Sequence, residues 1–404
     1  MKKTKVIEFM LNIGDGGAET LVKDYALLMD KSQFEVTVVV LHEIEDSANM
    51  RILQANGIPV IALSSENDLF KKLWRFFFKP ANAELIPDSM KEEEEKESEP
   101  SFLRKLVSRC RNKFFGWKLL HIARKNGAQV IHGHLEVLEI MAAVSRELKS
   151  LRLLHTCHNL PELVYFSQER KAAEKLIRNN SMQLIALHGE MSRELNEMFG
   201  IDNTVIIRNG IDLQRFLQPG ITKEEKRREL NIPENAFLVG HVGRFAVQKN
   251  HPFLIDVFRE IARKKENAYL LMIGAGDHSH IEKQLAEYGL SDRYQILSGR
   301  KDINELLTAM DVFVFPSIFE GLPVSMVEAQ ASGLRCLISD RCNLEVICSE
   351  TCIPLPLEDP ANWADAALDT TLRYSPEHLL SDYDMKKEIR RLEQLYLGKQ
   401  NGCL

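Results

Sequence analysis

Val312-Phe313-Val314-Phe315-Pro316-Ser317-Ile318-Phe319-Glu320-Gly321-Leu322-Pro323-Val324-Ser325-Met326-Val327-Glu328 reads as one strand, one turn and the start of one helix. The aromatic and β-branched run is too short for a buried helix and suits a strand covered on both faces. Pro323 fits the first turn of a helix, where its missing N–H costs nothing. Upstream, Phe237–Val242, Ala268–Ile273 and Tyr294–Leu297 are further apolar runs, with helices expected from Pro252, Ser279 and Ile303; Arg335–Ser339 follows downstream. The first half shows the same rhythm, with strands expected at Lys5–Ile13, Glu35–Leu41, Pro59–Leu63, Gln129–His132, Leu151–His155 and Leu184–Leu187, and helices from Ala18 and Ser47. Strands alternating with helices imply right-handed crossovers and parallel pairing. Two such sets are too many for one sheet. The expected fold is therefore α/β, with two doubly wound (Rossmann-like) parallel-sheet domains facing a central cleft. Residues 1–207 form the first domain and 208–375 the second, joined near Arg208-Asn209-Gly210, with a helical extension over 376–404. Lys223–Leu230 reads as a charged helix with nothing catalytic about it.

The chain has 404 residues, 45% apolar and 27% charged, enough for two hydrophobic cores. A net charge of -6 argues against a nucleic-acid binder, which carries a basic footprint. The cysteines include no CxxC pair, and the cluster Cys336, Cys342, Cys348, Cys352 has no histidine among it, so reduced, buried thiols are expected. Glu8 and Asn12 break the first apolar run before it reaches the length of a signal-peptide core, which points to a cytoplasmic protein. An acidic insertion near 88–100 interrupts the rhythm and is expected as a solvated loop. It is flanked by the aromatic and basic stretches 71–79 and 101–125. In the second, Leu103, Leu106, Cys110, Phe114, Trp117 and Leu120 make an apolar stripe beside Arg104, Lys105, Arg109, Arg111 and Lys113. Two readings stay open for it: contact with an anionic membrane surface, or a crossover helix using that stripe to pack on its own sheet.

Ligands of doubly wound sheets bind beyond the carboxyl ends of the strands. After Val312–Phe315, free amides near Gly321, Leu322, Pro323, Val324 and Ser325 form an anion site aided by the helix dipole. Glu320 and Glu328 lie on the order of 8 to 12 Å apart along the axis, at about 1.5 Å per residue. Such carboxylates can accept hydroxyls from two sugars on either side of a diphosphate. After Phe237–Val242, the turn from Gly243 to Pro252 carries Arg244 and Lys249, cations suited to phosphates. The loop Gly14-Asp15-Gly16-Gly17-Ala18-Glu19 has Glu19 where the dinucleotide fingerprint needs glycine, which disfavours NAD. Ile273-Gly274-Ala275-Gly276 is a lone GxG and reads as a tight turn. His132, His134, His155 and His158 end two neighbouring strands; they lack both metal-ligand spacing and an evident carboxylate partner, so no metal is expected.

These residues resemble those of the retaining GT-B glycosyltransferases of family 4, above all bacterial capsule and exopolysaccharide enzymes. The likeness rests on Gly243-Arg244-Phe245 with Gln248-Lys249-Asn250-His251, on Ile273-Gly274-Ala275-Gly276, on Ala309 through Ser317, and on Glu320-Gly321-Leu322-Pro323-Val324 through Glu328-Ala329, the family's E-x7-E element. Gly16–Glu19 and Asn209-Gly210-Ile211-Asp212 with Phe216 add a glycine loop and a hinge signature. Arg335 stands where the family usually has proline, and residues 66–125 match poorly. The resemblance implies a hexosyltransferase using a nucleotide-diphosphate sugar, most commonly a UDP-sugar, without metal or other cofactor. It assigns the diphosphate to Arg244 and Lys249, the hexose to Glu320, the ribose to Glu328 and the base to backbone near Arg300. Gly17 approaches the phosphate, and His134, with His158 as second candidate, stands at the reaction centre. The implied acceptor is a glycan precursor, in the polyprenyl-diphosphate-linked form common in such pathways, at the inner face of a membrane. The competing readings are another sugar-nucleotide enzyme on this fold, an epimerase or phosphorylase, and a non-catalytic nucleotide-sugar-binding subunit.

Overall fold

The structure is a computed structural model that describes residues 3–14, 16–42, 47–64, 102–369 and 378–399. The acidic run 88–99, the stretch 71–79, Asp15, Cys403 and the side chains of Leu103, Arg104 and Lys105 lie outside the described residues. Two compact units emerge: residues 1–207 together with 389–404, and residues 208–388.

The first unit holds a seven-stranded sheet of β1 (Thr4–Met10), β2 (Phe34–His42), β3 (Val60–Ser64), β4 (Val130–His134), β5 (Arg152–Thr156), β6 (Gln183–Ala186) and β7 (Val205–Ile206). Their order is β3-β2-β1-β4-β5-β6-β7, and every pair is parallel. The second unit holds a six-stranded sheet of β8 (Phe237–Val242), β9 (Ala268–Ile273), β10 (Tyr294–Leu297), β11 (Val312–Phe315), β12 (Arg335–Ser339) and β13 (Cys352–Leu355). Its order is β10-β9-β8-β11-β12-β13, again parallel throughout. Both are doubly wound. The strands missed in the sequence are the edges β7 and β13, the first very short and the second carrying Pro354.

Several local expectations are corrected. The helix Phe102–Asn126 packs inward through Phe115, Leu119, Leu120 and Ala123. The stripe read from the sequence faces outward for most of its length: Leu106 is 45% exposed, Phe114 38% and Trp117 44%, and Cys110 is exposed as well. Packing on the sheet therefore does not account for those residues. The helix Lys223–Glu229 is less a solvated charged helix than an anchor. Lys226 is buried and donates to Glu229, Asp302 and Glu305. Arg227 is buried too, donating to the carbonyls of Ala309, Glu234 and Ala236 and to Asp311 Oδ2, which also accepts from Leu238 N. That knot locks the start of β8 to the loop before β11.

In the hinge signature Gly210 is required for packing, because a Cβ there would sit 2.5 Å from Met385 Cα. Ile211 N donates to Tyr383 O, and Met385 N to Ile211 O. The helix Met385–Tyr396 begins in the second unit and ends in the first, where Ile389, Leu392 and Tyr396 are buried. No helix among the described residues is long and apolar enough to cross a membrane.

Candidate functional site

Each sheet reverses its winding once, between β1 and β4 and between β8 and β11, and ligands favour such switch points. In the second unit the loops after β8 and β11 are bound to one another. Ile318 N donates to Gln248 O at 2.8 Å, and Gln248 Nε2 to Phe319 O at 2.8 Å. Lys249 Nζ donates to Glu320 Oε1 at 2.7 Å and lies 4.5 Å from the centroid of the Phe315 ring. The turn after β9 joins them, since Gly243 N donates to Ile273 O and Phe245 N to Ala275 O. Here the GxG does more than turn the chain. A Cβ at Gly274 would fall 1.9 Å from the Gly243 carbonyl oxygen, and Gly276 has φ +124°, a left-handed conformation suited to glycine.

Around this junction several polar groups are left without protein partners. Arg244 is exposed and makes no ion pair among the described residues. The helix proper starts at Val324, with Pro323 as its N-cap rather than its first residue. Among the described residues the amides of Gly321, Leu322, Val324 and Ser325 have no acceptor. Such amides, at the positive end of a helix, can receive an anion. Ser317 Oγ, His241 Nε2 and His251 Nε2 are also buried there without partners. Glu328 is half-buried, and desolvation pushes its carboxyl up to about 7 against the pull of Arg215. Arg300 donates from Nε and Nη2 to Asp302, with Nη2 3.6 Å from Glu229.

In the first unit, a Cβ at Gly17 would meet nothing within 4 Å, so no packing among the described residues demands glycine there. At the end of β4 the histidines divide. His155 is structural, hydrogen-bonded to Tyr165 Oη and Leu135 O. His134 and His158 are brought together, Nδ1 to Nε2, at 2.9 Å. His134 Nε2 in turn lies 2.8 Å from Glu8 Oε2, and Tyr396 Oη donates to Glu8 Oε1 at 2.7 Å. His132 closes the network, 2.7 Å from both Tyr396 Oη and Thr156 Oγ1. Burial pushes Glu8 up to about 8, partly offset by Tyr396, and holds His134 down at about 3. Near neutral pH the contact is thus a hydrogen bond between neutral groups, not an ion pair.

Glu8 corrects the expectation that these histidines have no carboxylate partner. Glu8, His132 and His134 bring one ligand atom each within 4.8 Å of one another, a spacing a metal can use. Their polar atoms are instead engaged with Tyr396, Thr156 and His158. Glu8, Thr156 and Tyr396 were all missed in the sequence. The available signal was Glu8 itself, a charge inside an otherwise apolar strand.

Two family models match the chain. One described as "Glycosyl transferases group 1" covers residues 222–367, and one described as "Glycosyltransferase Family 4" covers residues 15–215. The chain is 27% identical to the putative glycosyltransferase EpsF of Bacillus subtilis, over 83% of this chain and 79% of that one. It is also 27% identical to the UDP-Gal:alpha-D-GlcNAc-diphosphoundecaprenol alpha-1,3-galactosyltransferase of Escherichia coli, over 55% and 60% of the two chains. Among solved structures, Anabaena Alr3699/HepE in complex with UDP and glucose superimposes with a TM-score of 0.71 at 18% identity, over 98% of this chain and all of that one.

The packing at Gly274 makes one prediction independent of chemistry. Gly274→Ala pushes the Gly243 carbonyl, and with it the Arg244 loop, out of place, at a cost of about 1–3 kcal/mol. Denaturant unfolding should show that loss; unchanged stability would mean the three loops are not interlocked as described.

Proposed function

We propose that this chain, a glycosyltransferase of the GT-B type, moves a hexose from a UDP-sugar to a lipid-linked glycan precursor with retention of anomeric configuration. The observation that carries this reading is the Lys249–Glu320 contact beside the unengaged amides of Gly321 to Ser325. A sugar nucleotide presents both partners that this pair lacks: phosphate oxygens for Lys249 and hexose hydroxyls for Glu320. Each group then exchanges its neighbour for the donor, and neither is left buried and alone. Arg244 and Lys249 together match the two negative charges of the diphosphate, so the donor is gripped by side chains and amides with no divalent ion. Stabilising that diphosphate as it departs is the main electrostatic task. Attack comes from the same sugar face, with a phosphate oxygen taking the acceptor's proton. Glu328 is assigned to the ribose, the backbone at Arg300 to the base, Gly17 to the phosphate, and His134 and His158 to the reacting sugar.

The donor class is supported by HepE, whose structure holds UDP and glucose, and the acceptor class by the E. coli relative, named for a diphosphoundecaprenol-linked sugar. A place in exopolysaccharide or capsule synthesis rests on the motif resemblance alone. Contact with the cytoplasmic face of a membrane is supported by the outward stripe Leu106, Phe114 and Trp117. Arg109 and Lys113 of the same helix line, with Lys171, Lys175 and Glu139, a hollow of about 430 Å³.

Lys249→Ala and Glu320→Ala should each lower transfer by about 100-fold or more with the fold intact by circular dichroism, while EDTA leaves the wild-type rate unchanged. Full activity in either variant removes the site assignment. The raised carboxyl of Glu328 gives a pH signature. Ribose hydroxyls donate to the carboxylate, so donor affinity should rise with pH until it levels off above about 7, by at most about tenfold per unit. UDP-glucose titrated calorimetrically between about pH 6 and 8 measures this, its diphosphate having no proton to lose in that range. Glu328→Gln should abolish the rise, and a rise that survives unchanged excludes Glu328 from the ribose. Finally, the chain should co-sediment with anionic vesicles in a salt-sensitive way and lose this in Arg109→Ala/Lys113→Ala/Trp117→Ala; equal binding by that variant rules out the helix as the contact.

A further inference from the structure

Glu8 lies inside β1, fully buried, and touches no surface. Its two oxygens are used differently. Oε1 accepts from Tyr396 Oη, and Oε2 meets His134 Nε2. On its far side, His134 Nδ1 meets His158 Nε2. His158 is half-buried, and its remaining nitrogen, Nδ1, has no hydrogen bond among the described residues. The chain of contacts therefore runs from a sealed carboxyl, through two imidazoles, to one free ring nitrogen.

Only one proton can lie on each of these hydrogen bonds, so their directions are coupled. With Glu8 protonated, the proton sits on Oε2, because Oε1 already accepts from Tyr396. His134 Nε2 is then an acceptor, His134 Nδ1–H donates to His158 Nε2, and His158 carries its own proton on the free Nδ1. With Glu8 ionised, His134 Nε2–H donates to the carboxylate, His134 Nδ1 accepts from His158 Nε2–H, and the free Nδ1 bears a lone pair. The two arrangements differ by one proton. In passing between them His158 Nδ1 releases a proton outward, His134 Nδ1 replaces it at His158 Nε2, and Glu8 Oε2 replaces that one at His134 Nε2. Neither imidazole becomes charged. The negative charge ends on Glu8, held by Tyr396 Oη and His134 Nε2–H.

We propose that Glu8 is a positioning residue: acting through His134, it sets whether His158 Nδ1 offers a proton or a lone pair to a bound substrate. A phosphate oxygen can use only the first form, whereas a sugar hydroxyl can use either. This rests on the assignment of His134 and His158 to the reacting sugar. The groups facing Glu8 are His132 and His134 from β4, Tyr396 from the terminal helix and, through Tyr396, Tyr25 from the helix Gly17–Leu28. Burial keeps all the imidazoles low and pushes Glu8 up to about 8, so the carboxyl is the group that titrates.

The test is ring ¹⁵N spectroscopy of histidine-labelled full-length protein between about pH 6 and 9, with kcat/KM measured over the same range. In the wild type the ring nitrogens of His134 and His158 should exchange their protonated and unprotonated shifts together, through one ionisation near pH 8. Glu8→Gln mimics the protonated acid, since its amide donates and its carbonyl accepts, and should lock the low-pH tautomers at every pH and remove that limb from the rate profile. Tyr396→Phe removes a hydrogen bond that lowers Glu8, so its limb should move to higher pH. Tautomers that do not change with pH in the wild type, or that change identically in Glu8→Gln, overturn the proposal. If Glu8→Gln does not fold, the wild-type titration and Tyr396→Phe decide alone. Donor binding is read separately by UDP-glucose titration. Unchanged tautomers with intact donor binding defeat the relay alone, and absent donor binding defeats the underlying site assignment.

Discussion

A parallel sheet covered by helices on both faces leaves polar chemistry little room. Every backbone group along its strands is occupied by a neighbouring strand, and both faces are dry, so free amides and charged side chains collect where the strands stop. In the second unit this constraint is nearly fully obeyed. β11 is wholly buried and apolar, and the next residues supply Ser317, Glu320 and the open amides. β8 and β9 end in the loops that meet them. The consequence is a site whose parts are far apart in sequence yet fixed by ordinary main-chain bonds, Gln248 to Ile318 and Phe319, Gly243 to Ile273. The placement of these loops comes from the sheet, with the loops cross-braced and Gly274 allowing them to touch.

The first unit departs from the rule, and the departure is where its distinctive chemistry lies. Glu8 and His132 point into the interior from the middle of strands, where a lone polar group would be expensive. They persist because each is satisfied: the carboxyl by Tyr396 and His134, the imidazole by Tyr396 and Thr156. A fully satisfied buried network specifies one arrangement, whereas a partly satisfied one would weaken the core. The same closure keeps His134 in a single orientation at the end of β4.

What could be read in advance follows from these physical differences. Apolar runs of strand length declare themselves one at a time, so β8, β9, β10, β11 and β12 were evident with their bounds. Two doubly wound sheets followed from the number of strands and the GT-B name from the motif resemblance, and the HepE structure superimposes on the chain. Arg244, Lys249 and Glu320 could be singled out as candidates because they sit in loops where the fold asks for nothing of their kind; that Lys249 meets Glu320 needed the structure. Glu8 was visible as an oddity but had no meaning, because its partners lie 126 and 388 residues away. The inward face of the helix Phe102–Asn126 stayed undecided for a related reason. Its apolar residues form two adjacent stripes, and which one is buried is settled by its neighbours, the helix Leu138–Ala143 and β3, not by the helix itself.

The helix Met385–Tyr396 has a further consequence, for the order in which the chain is completed during synthesis. Glu393 accepts from Asp30 N, and Tyr396 supplies the hydroxyl between Glu8 and His132. The strands of the first unit are made before the second unit begins, yet its interior has unmet polar groups until residues 389–396 follow. The second unit, 208–388, has all its residues before that moment. The unit that starts before the other is finished after it, and a nascent chain that has reached only residue 388 would hold every residue of the second unit while Glu8 still lacked Tyr396.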